Sequence, residues 1–196
     1  MTGKTDGRAC AWLLALLALA AAGAPAYGEA PDGAGAGAPQ RSIASAQEFL
    51  RQVLPGNRYV STFMAGLLEK ARREGLRGSF EPLPAIVDAN PVAECRSMLL
   101  ADIEGTDFVV RDRATGDGAV SNLADLVNDG LVGSPDGFDF GSIRALHRAG
   151  PRVHLRFAGE QLDAVVHMEG EEIAGRVYEA FDYLRRRCDA AAATGF

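Results

Sequence analysis

"HLRFAGEQLDAVVH", residues 154–167, decides how the second half of this chain folds. Two of the three histidines bracket it, and Gly159-Glu160 stands near its centre. A two-residue turn with glycine first is the type II′ loop that joins hairpin strands. With that turn, residues whose numbers add to 319 face each other across the pair. Val153, Leu155 and Phe157 then share a face with Leu162, Ala164 and Val166. Arg152, His154 and Arg156 share the other with Asp163, Val165 and His167. One face is apolar and one polar, the alternation of a half-buried antiparallel pair. Arg156 falls across from Asp163, and His154 lies diagonal to His167, ~7–8 Å away by strand geometry. The polar face is either the wet side of a core hairpin or a ligand face made of Arg152, His154, Arg156, Asp163 and His167. A metal shared by the two histidines lacks an evident third ligand, and Arg152 opposite His167 disfavours a cation. The sequence therefore assigns no metal and no cofactor.

Downstream, "EEIAGRVYEAFDYLRRRC" puts Ile173, Val177, Ala180, Phe181, Leu184 and Cys188 on one helical stripe. Glu171 and Glu172 suit the positive end of such a helix, and Arg185, Arg186 and Arg187 the negative end. Cys188 shares the apolar stripe and should face the sheet. Its expected partner is Cys95, at the head of the strand-like run "CRSMLLADI". An even pair of cysteines in an oxidising compartment reads as one disulfide. Two separate thiols are the alternative.

Upstream of the hairpin, "FVVRDRA" is a second strand-like run and "TGDG" a turn into "AVSNLADLV". "NDGLVGSPDG" reads as a loop of turn residues. "FDFGSIRALHR" reads as a strand with a bulge at Gly141, and "AGP" turns into the hairpin. Arg144, Arg148, Arg152 and Arg156 fall on these strands, either as an anion-binding face or paired across strands with acids such as Asp163. Earlier still, "SAQEFLRQVLPGN" has Ser45 and Glu48 in capping-box spacing, and "RYVSTFMAGLLEKARREG" repeats apolar residues at helical intervals. These predict an antiparallel helical hairpin over 42–75. Its stripes read as core rather than as a docking face. Residues 76–94, with three prolines, read as an extended connector.

Residues 142–184, strands followed by one amphipathic helix, resemble in element order the second half of a PH-like barrel. The resemblance implies that the helix packs across the sheet. Members of that family bind phosphoinositides or peptides in some cases, through basic residues in early strand loops. No residue here matches those. The expected fold is α+β: the helical hairpin, then a strongly bent antiparallel sheet or partly open barrel over 95–190, capped by the C-terminal helix.

The N-terminus reads as an address. Lys4 and Arg8 precede "ACAWLLALLALAAAG", and Ala24-Pro25-Ala26 or Ala26-Tyr27-Gly28 offers a cleavage site. That is the pattern of a secretory signal peptide over 1–28. No cysteine follows the apolar run, so a lipid anchor is not expected, and Cys10 would leave with the leader. "EAPDGAGAGAPQR", 29–41, has too little apolar bulk to offset its ordering entropy and reads as a linker. Residues 191–196 read as a tail. Periplasmic or secreted location follows, with no later membrane span. Cleavage removes Lys4, Arg8 and Asp6 and leaves 18 basic and 25 acidic residues, net −7. An acidic chain argues against nucleic acid as a partner.

Catalytic motifs are missing from the sequence. There is no G-x-S-x-G, H-E-x-x-H, C-x-x-C, EF-hand loop or P-loop. Asp129, Asp136 and Asp139 could offer oxygens to calcium, but turn chemistry explains them more simply. No catalytic residue is assigned. The expected role is a non-enzymatic binding or envelope-associated module whose partner is a protein or envelope component. A hydrolase or metal-dependent protein using the polar face of the 152–167 hairpin is the alternative.

Overall fold

The computed structural model describes residues 41–189. The leader expected at 1–28, the linker at 29–41 apart from its last residue, and the tail at 191–196 lie outside the described residues.

Helix α1 (Ile43–Val53) starts about one turn before the expected capping box. Ser42 is the cap: its Oγ accepts the Ser45 N–H at 3.0 Å, and the Ser45 Oγ accepts the Ser42 N–H at 2.9 Å. Glu48 instead accepts hydrogen bonds from Arg51 and Gln52 on the helix surface. Helix α2 (Thr62–Arg73) is capped by Ser61, whose Oγ accepts the Met64 N–H. Between the helices the chain forms a strand, β1 (Arg58–Val60), so the expected helical hairpin over 42–75 is interrupted. Helix α1 packs on α4 (Glu171–Cys188) and α2 packs on β2 (Leu76–Glu81). The apolar spacing from Val60 to Phe63 and Met64 mimics a continuing helix, but strands on both sides claim the backbone of β1.

The stretch read as a connector also enters the sheets, as β2, β3 (Ala85–Asp88) and β4 (Pro91–Ala93). Its prolines do not obstruct this. Pro82 and Pro84 lie between strands, and Pro91 is the first residue of β4, where a missing N–H is tolerated. There follow β5 (Arg96–Asp102), β6 (Asp107–Asp112), β7 (Gly118–Asn122), α3 (Leu123–Val127) and β8 (Leu131–Asp139). A 3-10 turn (Phe140–Ser142) then leads to β9 (Ile143–Ala149), β10 (Arg152–Phe157), β11 (Ala164–His167) and α4. The segment expected as a loop thus carries β8, which bends through Gly133 and Gly137, both at positive φ. The expected bulge at Gly141 is the 3-10 turn.

All pairings are antiparallel. The large sheet runs β4-β5-β3-β1-β11-β10-β9, with β8 on β5, and a small sheet runs β2-β6-β7. The fold is therefore α+β, with antiparallel sheets and a C-terminal helix. The large sheet is not closed into a barrel: among the described residues no pairing joins β8 to β9. One face of the large sheet buries Val153, Leu155, Ala164 and Val166 in a cluster with Phe140 and the α4 stripe of Ala174, Val177, Phe181 and Leu184. Complete burial of a side chain such as Phe181 or Leu184 contributes ~1.5–3 kcal/mol. Phe138 fills the space between Phe140, Phe157 and Phe181, with ring centroids 5.0–6.5 Å from its own.

The sulfurs of Cys95 and Cys188 lie at disulfide distance, 2.08 Å, and tie the end of α4 to the entry of β5. Cys95 holds a left-handed backbone, φ 63°. The 3-10 turn passes directly under this junction, where a Cβ on Gly141 would stand 2.4 Å from the Cys188 carbonyl oxygen.

Candidate functional site

The β10–β11 register is the one read from the sequence: Arg152 faces His167, Val153 faces Val166, His154 faces Val165 and Leu155 faces Ala164. The turn differs. Six residues, 158–163, separate the strands, and the Glu160 N–H donates to the Phe157 carbonyl, so the turn lies one residue earlier than expected. The Ala158 N–H donates to the Ser142 carbonyl at 2.7 Å, which draws the end of β10 towards the start of β9 and widens the loop. Asp163 keeps its place across from Arg156 through an Nε–Oδ1 hydrogen bond of 2.7 Å.

Neighbouring strands extend the polar face into rows. Arg58 of β1, His167 of β11 and Arg152 of β10 form one row. Val60, Val165, His154 and His147 form the next, because β9 pairs His147 with His154. Arg156 and Asp163 lie beyond. The expected diagonal partner of His154, His167, is therefore displaced by a nearer one that the sequence reading passed over. The His147 and His154 rings stack at 4.2 Å with 17° between planes. Asp163 Oδ2 lies 3.8 Å from His154 Nδ1 and 4.0 Å from His147 Nδ1. The signal for His147 was the Gly150-Pro151 turn, which fixes the β9–β10 register as simply as Gly159-Glu160 suggests the next one.

Burial is graded across this group. The His147 side chain is 55% exposed, His154 20% and Asp163 16%. His154 titrates below its ordinary value of 6.5, first because burial disfavours the imidazolium, then because His147 lies beside it; Arg152 acts the same way and Asp163 opposes. His167 is lowered chiefly by burial, with Arg152 and His154 adding to it. The His154 Nε2 is buried, with no hydrogen-bond partner among the described residues.

The same face forms one wall of a cleft of about 550 Å³. Arg152, His154, Val165 and His167 line that wall; Leu68, Glu69 and Arg72 of α2 and Phe80 of β2 line the opposite one. Arg72 is engaged with Glu69 at 2.8 Å, whereas among the described residues Arg152 has no ion-pair partner. Of the four arginines of 144–156, Arg152 and Arg156 share the polar face. Arg148 pairs with Val153 on the other, and Arg144 sits at the register shift of β9. The calcium alternative gains no support from geometry: Asp139 Oδ1 instead accepts the Gly141 N–H of the 3-10 turn. Among the described residues, His147, His154 and Asp163 are the group of histidine, cysteine and carboxylate side chains whose ligand atoms all lie within 4.8 Å of one another.

No protein family, curated protein or solved structure matches this chain.

Proposed function

We propose that the protein is an exported, non-enzymatic binding module that holds an acidic, partly apolar segment of a partner protein in the cleft between α2–β2 and the β10–β11 face. The observation that carries this is the lining of the cleft. Apolar walls from Val60, Leu68, Phe80 and Val165 enclose Arg152, which has no counter-charge among the described residues, with His154 and His167 beside it. The volume lies within the ~300–1,000 Å³ of small recognition sites. A cationic cleft in a chain of net charge −6 selects for an anionic group, because the rest of the surface repels one.

Export rests on the leader pattern of residues 1–28 and is supported by the Cys95–Cys188 bridge, which suits an oxidising compartment. Among the described residues no helix is long and apolar enough to cross a membrane. The PH-like likeness adds only the order of elements to this proposal.

The test is photo-crosslinking in the native envelope. A crosslinker replacing Leu162, in the cleft, should capture one discrete partner. The same crosslinker replacing Val120, on the exposed face of β7, should not. Arg152→Glu should abolish the capture from Leu162. An identical product from both positions, or capture indifferent to Arg152→Glu, overturns the proposal.

A further inference from the structure

We propose that His147, His154 and Asp163 form a divalent transition-metal site of the zinc type at the edge of the cleft, with His154 common to the site and the cleft wall. The donor set is two imidazoles and one carboxylate from three consecutive strand segments, β9, β10 and the loop entering β11. Two histidines and one carboxylate are a set that zinc and its neighbours in the first transition row accept, with water completing the shell. Hard oxygen-seeking ions such as calcium and magnesium do not favour it.

Three details of the geometry point the same way. First, the three ligand atoms converge within 4.8 Å, yet none makes a hydrogen bond to another: the Nδ1–Oδ2 separations are 3.8 and 4.0 Å. An ion with bonds of about 2.0–2.2 Å draws such atoms to ~3.3–3.6 Å of each other, a closure of roughly half an ångström for each Nδ1–Oδ2 pair. Second, Asp163 is already oriented. Arg156 holds Oδ1 at 2.7 Å and leaves Oδ2 aimed at both rings. A hydrogen-bonded partner behind the ligand is what fixes the direction of metal-binding carboxylates. Third, the Arg156 charge is matched by Asp163, so it does not act as a free cation at the site.

The stacked rings set the binding step. The lone pairs of nearly parallel imidazoles run parallel and cannot meet at one ion. His154 is held by its burial, whereas His147 is more than half exposed. Metal entry therefore turns the His147 ring out of the stack and leaves His154 and Asp163 in place. Metal and proton compete for the same ring nitrogens, so acid releases the ion.

The experiment uses untagged protein purified from cells expressing the full chain, stripped with a chelator and titrated with zinc against a chromophoric competitor. One equivalent should bind. His147→Ala should remove that equivalent with the far-UV spectrum unchanged, because its side chain is exposed. Arg156→Gln should retain the stoichiometry and weaken affinity by roughly 10–100-fold, the usual cost of losing a supporting hydrogen bond. Proton NMR should show the His147 and His154 ring signals shifting together as the stack opens, with those of His167 unmoved. Absence of bound zinc, zinc bound equally by His147→Ala, or binding that leaves the two ring signals unshifted overturns the proposal.

Discussion

Replacing both bridged cysteines, Cys95→Ala with Cys188→Ala, should cost the domain about 4–5 kcal/mol. The bridge spans a sequence separation of 93 residues. The chain-entropy relation for a loop of that length gives roughly 4.7 kcal/mol at 25 °C, all of it from freeing the unfolded chain. The backbone of Cys95 supplies a second comparison. At φ 63° its left-handed conformation costs an alanine as much as it costs cysteine, roughly 1–2 kcal/mol, whereas glycine is free of that cost. Glycine loses about 0.5–1 kcal/mol of that relief to its looser unfolded chain. The pair Cys95→Gly with Cys188→Ala should therefore be more stable than the double alanine variant, by a few tenths to 1 kcal/mol. The single tryptophan, Trp12, lies outside the described residues, so urea unfolding is best followed by far-UV circular dichroism. On a thermal scale the main loss is roughly 10–20 °C for a domain of this size. A double alanine variant within about 1 kcal/mol of the parent would refute the loop-entropy account. A glycine variant no more stable than the alanine one would refute the left-handed cost at position 95.

Three further outcomes follow from the structure. Gly133→Ala should destabilise by roughly 2–4 kcal/mol, because φ is 137° and the new Cβ would stand 1.9 Å from the Leu99 carbonyl oxygen in the β5–β8 pair. Gly159→Ala, also at positive φ but facing open space, should cost only about 1–2 kcal/mol in the same urea titration. His167 should make stability pH-dependent. Its folded value is lowered by burial and by Arg152, so below its ordinary 6.5 the unfolded chain binds the proton more readily. The contribution is present above pH 6.5 and is lost as pH falls through the folded value. In chelator-treated protein, His167→Gln should flatten the acid side of a plot of urea midpoint against pH, and an unchanged slope would count against burial as the cause.

The legible parts of this fold are those in which one pattern dominates. Period-two alternation about Gly159-Glu160 defined the β10–β11 faces and the Arg156–Asp163 pair. The 3.6-residue stripe from Ile173 to Cys188 defined α4, and the position of Cys188 on that stripe made Cys95 its natural partner. What was hidden is short or shared. β1 has three residues, and Val60 satisfies a helical spacing as well as a strand. β2, β3 and β4 were masked by prolines that in fact stand between or at the start of strands. The candidate site was half visible. Arg152, His154, Arg156, Asp163 and His167 were legible as one face of one hairpin. His147 belongs to that face only through a third strand, and pairing across two successive turns has to be followed to find it.

The placement of β1 has a consequence for how the chain reaches its folded state. Residues 58–60 sit in the middle of the large sheet, hydrogen-bonded to residues 165–167. Those partners are more than 100 positions apart in the chain. The entropy of closing so long a loop must be met before the central strands can register, so folding belongs in the slow, millisecond-to-second range of non-local β topologies. A chain emerging from the ribosome with β11 still unmade lacks the partner on one side of β1, so the sheet remains in two parts. The nascent protein stays open until nearly its last helix is synthesised.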